Sequence, residues 1–102
     1  MRIFQDLYQL TEAWPRQLFG LMMDVRRAAM GIPTNLGEGQ YHGAEADRQE
    51  FVALAGQQLT TLQGLLQTAQ AHPAIDGSSL TPVVAAATRL EQLLQDLGAP
   101  RG

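Results

Sequence analysis

The sequence predicts an all-α fold, an antiparallel up-and-down four-helix bundle. Apolar residues recur at helical spacing in four segments, about residues 3–14, 16–40, 44–71 and 80–97. Short breaks with proline, glycine or serine separate these segments, and no segment alternates polar and apolar residues as a strand does. The chain has 102 residues, so we expect one domain over residues 1–102.

The first two predicted helices are separated at Pro15, which suits a helix end or the first turn of the next helix. In the first helix, the apolar residues at helical spacing are Ile3, Phe4, Leu7, Tyr8 and Leu10. The second helix carries its apolar stripe on Leu18, Leu21, Met22, Val25, Ala28, Ala29, Ile32 and Leu36. Residues 41–43 then predict a short break.

The third and fourth helices are separated by residues 72–79, HPAIDGSS, a loop by its proline, glycine and serine content. The stripe of the third helix is Phe51, Leu54, Ala55, Leu62, Leu65, Leu66 and Ala69. The stripe of the fourth is Leu80, Val83, Val84, Ala87, Leu90 and Leu94. Ser79 is the expected N-cap of the fourth helix, and Gly98 and Pro100 are expected to end it.

The composition limits the function classes. The net charge is −3, which argues against a strong general nucleic-acid binder. Absence of cysteine excludes disulfides, thiolate metal sites and cysteine nucleophiles. No apolar run approaches the roughly 20 residues that cross a membrane, and the N-terminus lacks a signal-peptide pattern, so we expect a soluble cytoplasmic protein without membrane association.

Residues 31–39, GIPTNLGEG, combine three glycines with a proline inside the second helix. A phosphate-binding loop would follow a strand and carry a lysine, and this stretch does neither. We interpret it as a packing seam, where small residues let a neighbouring backbone come close. Pro33 cannot donate to the carbonyl of Ala29, so a kink is expected near residues 29–33.

A second apolar face lies on the same helix, roughly 120° from the core stripe. Phe19, Met23 and Met30 form this face, and Arg26 flanks it. Scattered surface apolar residues are normal in proteins, but three large ones on one helix face favour a subunit interface. Only 17% of residues are charged, which also hints that another subunit covers part of the surface. We therefore predict that Phe19, Met23, Arg26 and Met30 form an oligomer interface, with Arg26 in an inter-subunit salt bridge.

Three stretches carry a family resemblance: residues 24–39, DVRRAAMGIPTNLGEG, residues 7–15, LYQLTEAWP, and residues 50–66. The first resembles the helix-2 signature of the four-helix-bundle proteins encoded in intervening sequences of bacterial 23S rRNA genes. That family is related to the accessory variability determinant proteins of diversity-generating retroelements. The signature positions in this chain are Arg26, Arg27, Ala28, Ala29, Ile32, Pro33, Asn35, Glu38 and Gly39.

The resemblance implies a left-handed antiparallel bundle that assembles as a homopentameric ring, with no established catalytic activity. The retroelement relatives bind a reverse transcriptase and RNA through a basic surface. Where those relatives carry basic residues after the signature, this chain has residues 40–50, QYHGAEADRQE, and its first helix is short. Gln57 and Gln58 stand where the family has a Gly-Ser pair. These differences weaken the inference of nucleic-acid binding.

The polar signature residues have a structural and a functional interpretation. Asn35 and Glu38 would contact a neighbouring helix or a carbonyl of the kinked backbone, and a ligand site is the alternative. Arg26 and Arg27 could touch phosphate, but two arginines are far fewer than tight nucleic-acid binding uses. Gln58 should be either buried with a hydrogen-bond partner or placed between subunits.

Other candidate sites are incomplete. Glu38 and His42 stand four residues apart, as metal ligands can, but His72 lies on a distant loop and nothing completes the set. Tyr8 and Trp14 could stack on bases, although core or interface packing is more typical of such aromatic residues. We predict no catalytic, metal or cofactor site.

The sequence thus favours a non-enzymatic, homo-oligomeric scaffold or adaptor for an unidentified protein or RNA partner. The alternative is an RNA-binding accessory protein like the retroelement relatives. An enzyme or metal protein is disfavoured, since no nucleophile–base pair or ligand set is present.

Overall fold

The computed structural model describes residues 2–41 and 45–98. Four α-helices follow one another: α1 (Arg2–Glu12), α2 (Phe19–Tyr41), α3 (Glu45–Ala71) and α4 (Thr81–Gly98). Short 3-10 helices precede α2 at Arg16–Leu18 and α4 at Gly77–Leu80. No strand occurs in the described ranges, so the all-α prediction is confirmed there.

The connection between α1 and α2 begins two residues earlier than predicted. α1 ends at Glu12, and the amide of Trp14 donates to the carbonyl of Thr11 at 3.1 Å to close the last turn. Pro15 is extended, with φ −61° and ψ 154°, and N-caps the 3-10 helix. Proline disfavours helical geometry in the residue before it, which explains why Trp14 lies outside the helix.

Helix α2 continues through Pro33, so residues 31–39 lie in a helix and not in an anion-binding loop. Because Pro33 lacks an amide hydrogen, the carbonyl of Ala29 loses its usual helical donor. Side chains serve the next two carbonyls: Thr34 Oγ1 donates to Met30 at 2.8 Å, and Asn35 Nδ2 donates to Gly31 at 2.6 Å. The predicted bend at Pro33 stays a prediction.

The start of α4 corrects one expectation. Asp76, not Ser79, provides the N-terminal cap: its side chain accepts from the Ser78 amide at 3.1 Å. Ser79 lies inside the 3-10 helix, and its hydroxyl donates to the Asp76 carbonyl at 2.6 Å. Because a 3-10 helix precedes α4, the first backbone amides without a helical partner belong to that 3-10 helix, and the capping residue is the one before it. A Cβ on Gly77 would lie 2.8 Å from the carbonyl oxygen of Gln70, so this turn requires glycine.

The core runs along the molecule, which measures 47 × 20 × 19 Å over the described residues. Helix α2 packs on α3, α3 on α4, and α1 contacts both α2 and α4. The buried apolar residues are Ile3, Leu7, Leu18, Val25, Ala28, Ala29, Ile32, Ala55, Leu59, Leu62, Leu66, Ala69, Ile75, Leu80, Val83, Ala87, Leu90 and Leu94. Many of these residues belong to the predicted stripes, but Leu54 of the third stripe is exposed and Leu59 takes a core position instead.

Gly31 creates a notch in α2 that the side chain of Gln58 fills. A Cβ on Gly31 would lie 2.8 Å from both Cγ and Cδ of Gln58, closer than real Cβ contacts. The small residue therefore admits a side chain of α3, where the sequence suggested a backbone. Gly37, on the same helix, has no neighbour within 4 Å of its Cβ position, so it is not part of such a seam.

We expect Gly31→Ala to be the less favourable of two matched substitutions. Alanine gains about 1 kcal/mol over glycine in a helix interior, and Gly37→Ala should realise that gain because its surroundings are open. Gly31→Ala should lose the gain to the clash with Gln58, and Gln58→Ala should restore it. Urea unfolding at one fixed protein concentration measures all four variants. Equal stabilisation by the two single glycine substitutions would contradict the notch.

Candidate functional site

The outer side of α2 exposes large apolar side chains, as the sequence predicted. Phe19 is 61% exposed, Met23 37% and Met30 50%. Phe19 and Met23 are one helical turn apart, and Met30 lies two turns after Met23, so all three share one face. None of them contributes to the buried core. Their role in a subunit interface stays a prediction.

Arg26 lies between Met23 and Met30 and joins α2 to α1. Its Nε donates to Thr11 Oγ1 at 2.9 Å, and its Nη2 donates to the Tyr8 carbonyl at 3.2 Å and to Glu12 Oε1 at 2.9 Å. The guanidinium carbon stands 4.0 Å from the centroid of the Tyr8 ring, a cation–π distance. One arginine thus binds a hydroxyl, a backbone carbonyl, a carboxylate and an aromatic face of α1. We call Tyr8, Thr11, Glu12 and Arg26 the Arg26 cluster.

Thr11 is the buried member of the Arg26 cluster, with no exposed surface. Its hydroxyl lies 2.9 Å from the Leu7 carbonyl and 3.0 Å from that of Tyr8, so its one hydrogen has an acceptor inside α1. The oxygen then accepts from Arg26. Thr11 was not among the residues predicted from the sequence. The available signal was a threonine one turn after Leu7, on the core side of α1.

Arg26 forms a salt bridge within its own chain, with Glu12. The predicted salt bridge of Arg26 between subunits stays a prediction. The side chain of Arg26 is only 13% exposed, because α1 covers most of the guanidinium. Glu12 is 71% exposed, so this ion pair is largely solvated and contributes little by itself. The bond to buried Thr11 matters more.

The other signature residues have structural positions. Ala28, Ala29 and Ile32 are buried in the core, and Glu38 is exposed. Arg27 is exposed and pairs with Asp24 at 3.5 Å. Asn35 is half-buried and bonds to the backbone of its own helix, which agrees with the structural interpretation of that residue. Pro33 is half-buried, and the surroundings of Gly39 lie outside the described side chains.

The remaining candidates do not form a site. His42 lies outside the described residues, so its pairing with Glu38 is untested, and the His72 Nδ1 accepts from the Ala74 amide at 3.1 Å. In the described ranges, no three histidine or acidic side chains are placed to hold a metal ion. Trp14 packs on the core, and Tyr8, 47% exposed, stacks under Arg26. Gln58 is half-buried in the Gly31 notch.

A groove follows the seam between α3 and α4. One part, of about 330 Å³, is lined by Gln49, Val52, Ala53, Gly56, Leu59, Thr60, Glu91, Leu94, Gln95 and Gly98. A second part, of about 300 Å³, shares Glu91 and is lined by Gln63, Leu66, Gln67, Val84, Ala87 and Thr88. Gln63 Nε2 donates to Glu91 Oε2 at 2.9 Å across this seam. The groove therefore holds one carboxylate, already hydrogen-bonded, among glutamine, threonine and aliphatic side chains.

Comparison with known protein families shows which family this chain belongs to. The model of the 23S rRNA-intervening sequence protein family matches residues 1–96. The chain belongs to this family. The match includes the whole Arg26 cluster and the exposed apolar face of α2. Searches of curated proteins and of solved structures find no significant match.

The residues of the Arg26 cluster lie within the part of the chain that matches the family. The matched range includes Tyr8, Thr11 and Arg26, which the structure brings together. Among the described helices, none combines the length and apolar character of a membrane span.

The Arg26 cluster predicts that replacement by lysine destabilises the fold more at Arg26 than at the neighbouring Arg27. Arg26→Lys should destabilise the fold by about 1–2 kcal/mol, because lysine cannot reproduce the forked contacts to Thr11, Tyr8 and Glu12. Arg27→Lys, at a 75% exposed side chain, should stay within about 0.5 kcal/mol of the parent. Urea unfolding measures both variants at one protein concentration.

A double-mutant cycle with Thr11→Val isolates the buried bond. Arg26→Lys and Thr11→Val should be non-additive by about 1 kcal/mol, since each removes the same Nε–Oγ1 bond. Additive effects, or an Arg27→Lys loss as large as that of Arg26→Lys, would show that the cluster does not hold α1.

Proposed function

We propose that this intervening-sequence protein is a non-enzymatic scaffold or adaptor that assembles as a homo-oligomeric ring, a pentamer as the family resemblance implies. Each subunit would be an antiparallel up-and-down bundle. The observation that carries the proposal is the exposed apolar face of Phe19, Met23 and Met30. A small domain gains stability when such a face is covered by another subunit.

The size of this face supports an interface. Together with Tyr8, which the Arg26 cluster places beside it, the three residues expose on the order of 400 Å² of side-chain surface. This area is comparable to the largest apolar patch of a typical soluble monomer, and such patches often have a function. It amounts to about half of the ~800 Å² that each partner buries in a standard interface.

The helix pairings support the antiparallel arrangement. Gln63 bonds with Glu91, whereas a Cβ on Gly98 would lie 3.8 Å from Val52 Cγ1. Earlier positions of α3 thus meet later positions of α4. Three residues, 42–44, separate α2 from α3, a connection length typical of antiparallel neighbours.

The absence of catalysis is part of the proposal. The polar residues that the fold brings together bind each other, in the Arg26 cluster and at Gln63–Glu91, where the hydrogen-bonded pair lines the groove between α3 and α4. Enzymatic sites place a nucleophile or base where a substrate can reach it. A structural use of these residues accounts for all of their contacts.

RNA binding is the second hypothesis, and the pairing of arginines makes it the weaker one. Arg26, Arg27 and Arg48 each have a carboxylate partner in the chain. Paired guanidinium groups offer less charge to phosphate, and tight binding uses many phosphate contacts. A steep loss of affinity for structured RNA with rising salt would favour this hypothesis, and no binding at low salt would exclude it.

Light scattering of the purified protein tests the assembly. We expect a mass near five chains of 11.1 kDa. Met23→Glu and Met30→Glu should each lower the mass, because they place a charge in the apolar contact. Gln57→Glu, an equal charge at an exposed position of α3, is the control and should leave the mass unchanged. A single-chain mass for the parent protein, or a parental mass in both methionine variants, would refute the proposal.

A further inference from the structure

We infer that the α2 face docks against a different surface of a second copy, the outer side of α4 at Leu93 and Leu97. This inference rests on the proposed ring. It specifies which two surfaces of the chain meet, and it begins from a symmetry requirement. A ring of more than two subunits related by one rotation axis needs head-to-tail contacts, in which one patch meets a different patch of the next copy.

The chain offers a second apolar surface for this purpose. Leu93 is 57% exposed and Leu97 is 52% exposed, and they stand one turn apart on α4. Leucine side chains this exposed on the same helix face form a short ridge. We call Leu93 and Leu97 the α4 face, and Phe19, Met23 and Met30 with Tyr8 the α2 face.

The two faces lie on different sides of one subunit, as a ring requires. The core side of α4 carries Leu90 and Leu94, and the groove toward α3 carries Glu91 and Gln95. Leu93 and Leu97 therefore point away from α3. The α2 face lies roughly opposite the buried side of α2, which carries Val25, Ala28 and Ile32. Neither face is used by the packing between α2 and α3 or between α3 and α4.

The charges at the rims of the two faces are complementary. Arg89 is exposed one turn before Leu93, and it has no ion-pair partner in the part of the chain that the structure describes. Beside the α2 face, the Glu12 and Asp24 carboxylates are 71% and 55% exposed. Each of these carboxylates pairs with one arginine of its own chain and remains largely exposed, so the unpaired Arg89 of a second copy can add a contact there, which favours a contact between unlike faces.

The surface areas also favour a second copy as the occupant. The α2 face presents on the order of 400 Å² and the two leucines about 200 Å². Both faces would be desolvated in every subunit of a ring, whereas a self-contact of the α2 face would leave Leu93 and Leu97 in water. The remaining exposed large aliphatic residue of the described ranges, Leu54, is isolated on α3, on the side that carries Gln58.

Charge substitutions separate the two faces from the rest of the surface. Leu93→Glu and Leu97→Glu should each lower the light-scattering mass, as we also expect for Met30→Glu. Leu54→Glu is the matched control and should keep the parental mass. Circular dichroism of each variant checks that the helices remain. A parental mass in both α4 variants, together with a lower mass for Met30→Glu, overturns this inference and leaves the proposed ring standing.

Disulfide trapping tests whether the two faces meet. The chain has no cysteine, so every disulfide reports the pair that was introduced. Each double variant carries one cysteine on the α2 face, in place of Met23 or Met30, and one on the α4 face, in place of Leu93 or Leu97. This gives four pairs. Oxidation of the assembled protein should produce a ladder of linked chains up to the ring size for at least one pair, and Met30→Cys with Leu54→Cys should produce none.

The other outcomes are decisive against the inference. Dimers formed by Met30→Cys alone would show that the α2 face contacts itself. No ladder from any of the four pairs in assembled protein would show that another surface receives the α2 face. A single-chain mass of the parent protein would refute the proposed ring, and the inference with it.

Discussion

The contact between Arg26 and α1 is the constraint on which the remaining surface depends. Helix α1 has 11 residues, and few of them reach the core, so apolar packing alone holds it weakly. Arg26 adds a bond to a fully buried hydroxyl and a ring contact to Tyr8. By fixing α1 beside α2, it also fixes Tyr8 next to the exposed apolar residues of α2. The Arg26 cluster therefore stabilises the fold and shapes the proposed docking face.

Helix α2 has three sides with different surroundings. One side enters the core through small and branched residues, one side carries the notch that Gln58 fills, and the third faces solvent with large apolar side chains. The glycine and the proline that weaken this helix serve the packing: Gly31 admits a side chain of α3, and Thr34 and Asn35 donate to carbonyls beside Pro33. These residues lower the helix propensity of α2, and the close packing between α2 and α3 offsets that loss.

Much of the candidate site could be predicted from the chain, but its contacts could not. The periodicity of α2 placed Phe19, Met23 and Met30 together and away from the core, since a regular helix fixes the angle between residues. The same argument put Arg26 at the edge of that face. It did not provide the Thr11 partner of Arg26 within the chain, because that partner lies on another helix, 15 residues earlier. Thr11 was missed although it lies one turn after Leu7 on the core side of α1, because threonine occurs at both buried and exposed positions.

The sequence by itself determined the four helices, their apolar stripes, the family and the exposure of one α2 face. These features follow from local geometry and from a motif, both of which are properties of adjacent residues. Tertiary structure alone decided that Gln58 fills the notch at Gly31 and that Arg26 binds Thr11 and Glu12. Those outcomes depend on how closely and in which register neighbouring helices pack, and hydrophobic periodicity within one helix does not specify either.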